Sequence, residues 1–214
     1  MLKKTIVAVT LLLGAARANA QVVWALGDSI TRLYASALAT QHPEWTVVNY
    51  GQDGETARDA IDRLQAIVAS APPRPDVIVI GYGTNDVVRY VIEGDPGFDP
   101  TDTVTRIGTL ASIATTTGAT VVVALPPGLA VHAQRDVGQD AGARALFLLF
   151  RNGINAIRRG LRQFPLRTDL RVTGVRYFAD LVHYNELGSA KAAARVARTV
   201  QRVLTRQTLA ARSS

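Results

Sequence analysis

Short, continuous apolar runs alternate with longer amphipathic segments along most of this chain. Runs of about four to eight apolar residues are typical of buried strands, whereas apolar residues spaced three or four apart are typical of helices that cover a core. The pattern predicts strands at 22–26, 46–50, 77–80, 120–125 and 170–173. It predicts helices at 30–40, 56–69, 103–116, 143–162 and 186–205.

Two stretches rich in glycine, proline and aspartate interrupt this alternation and predict loops at 86–102 and 126–142. Strands that alternate with helices predict an α/β fold, in which a parallel sheet is covered by helices on both faces. Because the chain shows no internal repeat or low-complexity linker, we expect one domain over 21–206 and a flexible tail at 207–214. Ligands of such sheets bind beyond the carboxyl ends of the strands, and candidate chemistry is therefore expected there.

The first twenty residues carry the pattern of a secretory signal peptide. Lys3 and Lys4 form a basic start, 5–13 is an apolar run, and Ala18-Asn19-Ala20 has the small residues that signal peptidase recognises. The apolar run is shorter than the roughly 20 residues that a transmembrane helix needs. We therefore expect cleavage after Ala20 and a secreted or periplasmic protein, with a buried N-terminal helix or an uncleaved anchor as the alternatives.

Charge and composition argue against several function classes. Three of the 24 lysines and arginines and none of the 17 acidic residues lie in 1–20, so cleavage lowers the net charge from +7 to +4. The arginines at 144–167 are spaced as on the solvated face of a helix, without the interleaved aromatic residues of a nucleic-acid-binding patch. The absence of cysteine excludes disulfides and thiolate chemistry. We expect no nucleic-acid partner and no stable membrane insertion.

Four stretches rich in polar residues or glycine lie at or beside the predicted carboxyl edge of the sheet, where ligands are expected to bind. Three of them follow strands, and the fourth precedes the last helix. They are Gly27-Asp28-Ser29, Asn49-Tyr50-Gly51-Gln52-Asp53-Gly54, Gly83-Thr84-Asn85-Asp86 and the pair Asp180 and His183. Taken one at a time, each stretch also has an ordinary structural explanation as a turn, a helix cap or a surface pair.

Ser29 lies at a strand-to-helix turn, where its hydroxyl can act as a nucleophile once a neighbouring base removes its proton. Serine is also favoured as a helix N-cap, and this alternative is equally consistent with the position. The chain has three histidines, and of these His42 lies away from the strand ends while His132 lies in the second long loop. His183 follows Asp180 by three residues, a spacing that lets the carboxylate orient the imidazole.

An anionic intermediate of acyl transfer needs hydrogen-bond donors that are in place before the reaction. The backbone N–H groups of Ser29 and Gly54 and the side-chain amide of Asn85 are the candidate donors of such an oxyanion hole. Asp28 is adjacent to Ser29 and is badly placed to orient the far nitrogen of a histidine. We therefore expect Asp28 to have a structural hydrogen-bonding role.

Together, in this order and spacing, the four stretches resemble the SGNH subgroup of the GDSL hydrolase superfamily of esterases, lipases and thioesterases. The resemblance covers about 22–194 and places the nucleophile at Ser29, the acid and base at Asp180 and His183, and the oxyanion donors at Ser29, Gly54 and Asn85. It implies a flavodoxin-like three-layer α/β/α sandwich and an acyl-enzyme mechanism without metal or cofactor. Tyr184 departs from the pattern, since many members have proline there.

Three other function classes fit the sequence less well. A dinucleotide-binding loop at Gly81-Tyr82-Gly83 lacks its third glycine, which is replaced at Asp86, and no helix is predicted to begin there. A cation site formed by Glu93, Asp95, Asp99 and Asp102 lacks a calcium-loop pattern, so a solvated acidic loop is favoured. A non-catalytic binding protein on the same fold would be expected to lack at least one of Ser29, Asn85 and His183. All three are present in this chain.

The small-molecule ester substrate is predicted only by class. A short-chain carboxylic ester is the central expectation, with thioesters, lysophospholipids and acetylated carbohydrates as alternatives. An apolar acyl wall would consist of Phe98, Leu129, Val131 and Tyr184. Arg89 and Arg135 would instead favour an anionic or sugar substrate.

Overall fold

A five-stranded parallel sheet forms the centre of the computed structural model, which describes residues 20–70, 74–128 and 140–213. The strands are β1 (Gln21–Gly27), β2 (Trp45–Gly51), β3 (Val77–Gly81), β4 (Thr120–Leu125) and β5 (Arg167–Asp169). Their order in the sheet is β2-β1-β3-β4-β5, and every neighbouring pair is parallel. Most of the predicted signal peptide, residues 1–19, lies outside the described residues.

Helices cover both faces of this sheet. They are α1 (Ser29–Gln41), α2 (Ala60–Ser70), α3 (Thr84–Val91), α4 (Pro100–Thr115), α5 (Ala141–Gly160) and α6 (Glu186–Ser213). One buried cluster joins α1 and α6 to the sheet, and a second joins α2, α3, α4 and α5 to its other face. The predicted flavodoxin-like α/β/α sandwich is confirmed.

The three central strands, β1, β3 and β4, were predictable because they are buried on both faces. Successive residues of β1 alternate between the two clusters: Val23 and Ala25 face α1 and α6, and Trp24 and Leu26 face the other layer. A strand that is covered on both sides can use apolar residues at every position. The continuous apolar runs in the sequence therefore coincide with β1, β3 and β4.

One predicted loop contains a helix. The sequence predicts a loop from 86, but α3 begins at Thr84 directly after Gly83, whose φ of +122° few other residues adopt. The helix contains several β-branched residues and is favoured here by packing, because Val87 is fully buried against Gly153 of α5. The prediction that no helix starts after the Gly81-Tyr82-Gly83 segment is therefore wrong.

Three element boundaries also differ from the predictions. Helix α2 begins at Ala60 rather than at 56, and β5 ends at Asp169, before the predicted strand at 170–173. Helix α6 continues to Ser213 through residues that we expected to form a tail. Gln207 explains part of this extension, since its Nε2 donates to Thr120 Oγ1 at 3.0 Å and attaches the helix to the start of β4. Among the described residues, no helix is long and apolar enough to cross a membrane.

Candidate active site

A surface cleft of about 530 Å³ lies at the carboxyl ends of the central strands and brings the predicted stretches together. Its lining includes Ser29, Gly54, Asn85 and His183. These residues come from four separate segments of the chain. Their convergence agrees with the rule that ligands of parallel sheets bind beyond the strand ends.

Ser29 is the first residue of α1, and the residue before it caps the helix. The Asp28 carboxylate accepts hydrogen bonds from the backbone N–H groups of Ile30 at 3.0 Å and Thr31 at 3.4 Å. The alternative interpretation of Ser29 as the N-cap is therefore wrong, and Asp28 has the structural role expected of it. Complete burial raises the pKa of Asp28 to about 7, although the two backbone hydrogen bonds act in the opposite direction.

The turn before Ser29 requires a glycine at position 27, because the backbone there lies close to Thr31 and to the end of β3. A Cβ atom on Gly27 would lie 2.0 Å from Thr31 Oγ1 and 2.3 Å from the carbonyl oxygen of Gly81. Thr31 Oγ1 donates to that same carbonyl at 3.3 Å, which joins the start of α1 to the end of β3. Any side chain on Gly27 would displace the first turn of α1 and Ser29 with it.

Ser29, His183 and Asp180 form a continuous hydrogen-bonded chain. Ser29 Oγ lies 3.0 Å from His183 Nε2, and His183 Nδ1 lies 2.8 Å from Asp180 Oδ2. An imidazole protonated at Nδ1 donates to the carboxylate and accepts the serine proton at Nε2. The arrangement can therefore activate the hydroxyl.

The Asp180 carboxylate also organises its own loop. Its Oδ1 accepts from the backbone N–H groups of Val182 at 2.8 Å and His183 at 2.7 Å. Partial burial acts to raise the pKa of Asp180, but these hydrogen bonds and the adjacent imidazole outweigh it and leave the pKa below its usual value. The carboxylate therefore remains the ionised partner of the imidazole.

Tyr184 anchors the loop that carries Asp180 and His183. Its side chain is 2% exposed, and its hydroxyl donates to the carbonyl oxygen of Leu170. Tyr184 also borders the cleft, so its place in an acyl wall stays a prediction, although only a small part of its side chain is accessible there. Gly188 lets the start of α6 pack closely against the segment before this loop, since a Cβ atom there would lie 2.0 Å from the carbonyl oxygen of Tyr177.

The three predicted oxyanion donors border the same cleft. Gly54 is exposed and has a φ of +75°, a conformation that glycine adopts without strain. The loop before it is attached to β1 by Gln52, whose backbone N–H donates to the Gly27 carbonyl at 2.8 Å. The Asn85 amide uses one proton to donate to the carbonyl oxygen of Glu55 at 3.0 Å, so its second proton can be offered to a bound oxygen.

Asp86 is a supporting residue to which the sequence analysis assigned no role. Both of its carboxylate oxygens lie near the backbone nitrogen of Ala57, at 3.2 and 3.1 Å, and Thr103 Oγ1 is 3.5 Å from one of them. Burial raises its pKa to about 6. Its place in the Gly83-Thr84-Asn85-Asp86 stretch is the signal that could have indicated this link between α3 and the Gly54 loop.

A buried polar network below the Gly54 loop was also not predicted. Glu55 is 4% exposed, and its carboxylate accepts from Arg63 Nε at 2.5 Å and from the Tyr82 hydroxyl at 2.7 Å. Arg63 Nη2 also donates to the Tyr50 carbonyl at 2.9 Å. The network fixes the position of Glu55, and it therefore fixes the backbone carbonyl that accepts the hydrogen bond from Asn85. Nothing in the spacing of these residues distinguishes them from an ordinary exposed pair.

Several other candidate residues lie elsewhere. His42 does not line the cleft; its Nδ1 lies 2.8 Å from Glu44 Oε1, and its ring stacks on Trp45. Phe98 is 5% exposed under the guanidinium group of Arg58, so its predicted place in an acyl wall is wrong. His132, Leu129, Val131 and Arg135 lie outside the described residues.

The acidic segment after α3 is used for capping and surface pairing. Asp95 accepts from the backbone N–H of Gly97 at 2.8 Å, and Asp99 caps α4. Glu93 pairs with Arg89 at 3.0 Å. Within the described ranges, no group of three or more histidine, aspartate or glutamate side chains could hold a metal ion.

Comparisons with known proteins agree with this fold. A family model for GDSL-like lipases and acylhydrolases matches residues 25–191. No curated protein sequence matches the chain. Among solved structures, a lipolytic protein of the G-D-S-L family from Veillonella parvula is 21% identical, with a TM-score of 0.64 over 86% of this chain and 100% of that one.

Two further solved structures share the fold at similar coverage. A carbohydrate acetylesterase family member from Sinorhizobium meliloti is 19% identical, with a TM-score of 0.63 over 86% of this chain and 99% of its own. The inhibitor-bound aryl esterase of M. smegmatis is 17% identical, with a TM-score of 0.60 over 86% of this chain and 100% of its own.

Proposed function

Because the chain belongs to the GDSL-like lipase/acylhydrolase family, and is thus an ester-bond hydrolase, we propose that it cleaves short-chain carboxylic esters through an acyl-enzyme on Ser29. The observation that carries this proposal is the hydrogen-bonded chain from Ser29 Oγ through the His183 imidazole to Asp180. A hydroxyl with a base at 3.0 Å, and a base oriented by a carboxylate, is the arrangement that serine nucleophiles require.

The proposed reaction has two acyl-transfer steps. Ser29 Oγ attacks the ester carbonyl carbon while His183 Nε2 takes its proton, and Asp180 stabilises the resulting imidazolium. The backbone N–H groups of Ser29 and Gly54 and the Asn85 amide stabilise the negative oxygen. The imidazolium then protonates the leaving alcohol, and water activated by the same imidazole releases the acid from the acyl-enzyme.

The leaving alcohol is expected on the His183 side of the cleft, because the imidazole must reach its oxygen. A groove of about 470 Å³ between α1 and the start of α6 continues the cleft in this direction, since both are lined by Leu33 and Tyr184. Ala37 and Ala190 contribute small apolar surfaces along it. We therefore infer that the groove holds the alcohol part of the ester.

A carbohydrate O-acetylesterase is the second candidate function. Arg32 and Asp53 both line the cleft, and Arg32 Nε pairs with Asp53 Oδ1 at 2.6 Å. The side chains are 49% and 62% exposed, so this ion pair offers both a donor and an acceptor to sugar hydroxyls. The S. meliloti structure is described as a carbohydrate acetylesterase family member, which supports testing acetylated sugars.

The decisive experiment compares residues 21–214 with the Ser29→Ala variant on p-nitrophenyl acetate, butyrate and octanoate. We expect EDTA-insensitive turnover by the unaltered protein, and a decrease in kcat of about 10⁴-fold or more in the variant. A fluorophosphonate probe should label only the protein that retains Ser29. Ser112→Ala, an exposed serine on α4, is the matched control and should behave like the unaltered protein. Equal turnover by the Ser29 variant would overturn the proposal.

We also propose that the enzyme is secreted or periplasmic. Support comes from the sequence of the first twenty residues, with Lys3 and Lys4 before an apolar run and Ala18-Asn19-Ala20 at its end. N-terminal sequencing of the protein recovered outside the cytoplasm should begin at Gln21. Recovery in the cytoplasm with Met1 retained would contradict this localisation.

A further inference from the structure

Five arginines surround a trough on the exposed side of α6, next to the edge strand β5. They are Arg167, Arg195, Arg198, Arg202 and Arg206. The trough consists of two adjoining depressions of about 310 and 180 Å³ that share Arg167, Thr199 and Arg202. Of these five, Arg167 alone belongs to the group at 144–167 that the sequence analysis considered; Arg158 of that group proves to be buried and paired with Asp169.

The spacing along α6 explains why the guanidinium groups converge. Arg195, Arg198, Arg202 and Arg206 recur at intervals of three or four residues, which places them on one face of a helix. From the first to the last of them the helix rises about 16 Å, at roughly 1.5 Å per residue. Arg167 at the start of β5 faces this row across the trough.

Among the described residues that line the trough, no carboxylate is left unpaired to neutralise this charge. Asp169 is the acidic residue in its lining, and its side chain is already paired with Arg158 and Arg171, each at 2.8 Å. The Arg195 and Arg202 side chains donate to Asp169 O, Arg198 O and Thr199 Oγ1, none of which carries a charge. Each guanidinium has five N–H donors, so most donors remain available.

We propose that this trough binds a linear polyanion with closely spaced phosphate groups. Guanidinium groups bind phosphate oxygens through paired, charge-assisted hydrogen bonds, and a row about 16 Å long can contact several such groups at once. The trough is concave, with Thr199 only 6% exposed at its base, so a chain fits it better than a flat membrane surface. The residues that line it include no aromatic side chain on which bases could stack.

Calorimetric titration of the purified protein with sodium tripolyphosphate tests the proposal, with orthophosphate as the single-anion probe. We expect tripolyphosphate to bind at least about tenfold more tightly than orthophosphate. The double variant Arg198→Gln/Arg202→Gln should weaken tripolyphosphate binding by about tenfold or more and leave esterase activity unchanged. The matched control Arg151→Gln/Arg159→Gln removes the same charge from exposed positions on α5 and should bind like the unaltered protein.

Three outcomes would overturn this inference. Equal losses in the two double variants would mean that net charge, and not the trough, is responsible. No detectable binding of tripolyphosphate would refute the site directly. Binding to phosphatidylglycerol vesicles or to a single-stranded oligonucleotide, without binding of tripolyphosphate, would assign the arginines to another kind of partner.

Discussion

The side-chain amide of Asn85 donates a hydrogen bond to the backbone carbonyl of Glu55 over 3.0 Å. This bond connects the first turn of α3 to the loop that carries Gly54, and so connects two of the three proposed oxyanion donors. Asp86 strengthens the same connection through the Ala57 backbone. The donors are therefore positioned before any substrate is present, which is the condition for effective stabilisation of a developing oxyanion.

Replacing Asn85 should slow the chemical step. We expect Asn85→Ala to lower kcat by about 10²- to 10³-fold with a small change in KM, because the lost donor acts mainly on the transition state. Asn85→Asp should be at least as damaging, since it replaces a donor with a negative charge. Steady-state kinetics on p-nitrophenyl acetate measure both values. A change confined to KM would indicate substrate binding instead.

Asp180→Asn should inactivate the enzyme without unfolding the loop. The asparagine oxygen can still accept from the backbone N–H groups of Val182 and His183, while its NH₂ group faces His183 Nδ1. The imidazole would then carry its proton on Nε2 and could not accept the proton of Ser29. We expect kcat to fall by up to about 10⁴-fold at an unchanged melting temperature. Near-normal kcat in the folded variant would remove Asp180 from the mechanism.

The pH dependence of stability should reveal the burial of Asp28. Its pKa is about 7 in the folded protein and 3.8 as the reference value, so folding takes up a proton between these pH values. The free energy of unfolding should therefore decrease as the pH rises from 4 to 7. Asp86, with a folded pKa of about 6, acts in the same direction.

Asp28→Asn removes the contribution of Asp28 to this pH dependence. It keeps the helix cap, because asparagine is as favourable as aspartate at the N-cap position. Urea denaturation at pH 4 should give similar stabilities for the two proteins, whereas at pH 7 the variant should be relatively more stable. Parallel pH profiles for the variant and the unaltered protein would contradict the assignment.

Filling the groove between α1 and α6 should discriminate against large alcohols. For Ala37→Trp we expect kcat/KM for 2-naphthyl acetate to fall by about tenfold or more, while methyl acetate and the acyl-length series change little. Ala69→Trp, on the exposed surface of α2, is the matched control. A loss that follows acyl length rather than alcohol size would place the acyl chain in the groove instead.

The sequence was sufficient for the fold class because the three central strands are continuous apolar runs and the helices are amphipathic. It also identified Ser29, Gly54, Asn85 and His183, which prove to line one cleft, through the four stretches that resemble the GDSL hydrolase pattern.

Features that depend on tertiary packing were not predictable. Helix α3 has weak intrinsic propensity and depends on burial of Val87 against α5. The Glu55 and Arg63 ion pair joins residues that resemble ordinary surface charges in the sequence. The extension of α6 depends on Gln207, whose partner Thr120 lies 87 positions away along the chain.

The hydrogen bond between Ser29 and His183 joins residues 154 positions apart in the chain. Helices α1 and α6 must pack on the same face of the finished sheet before this contact exists. Contacts of such long range slow folding, because the loop-closure entropy must be paid before they form. On the proposed mechanism, a reagent that reacts only with activated Ser29 reports the molecules in which α1 and α6 have packed together, and its labelling rate during refolding would time that step.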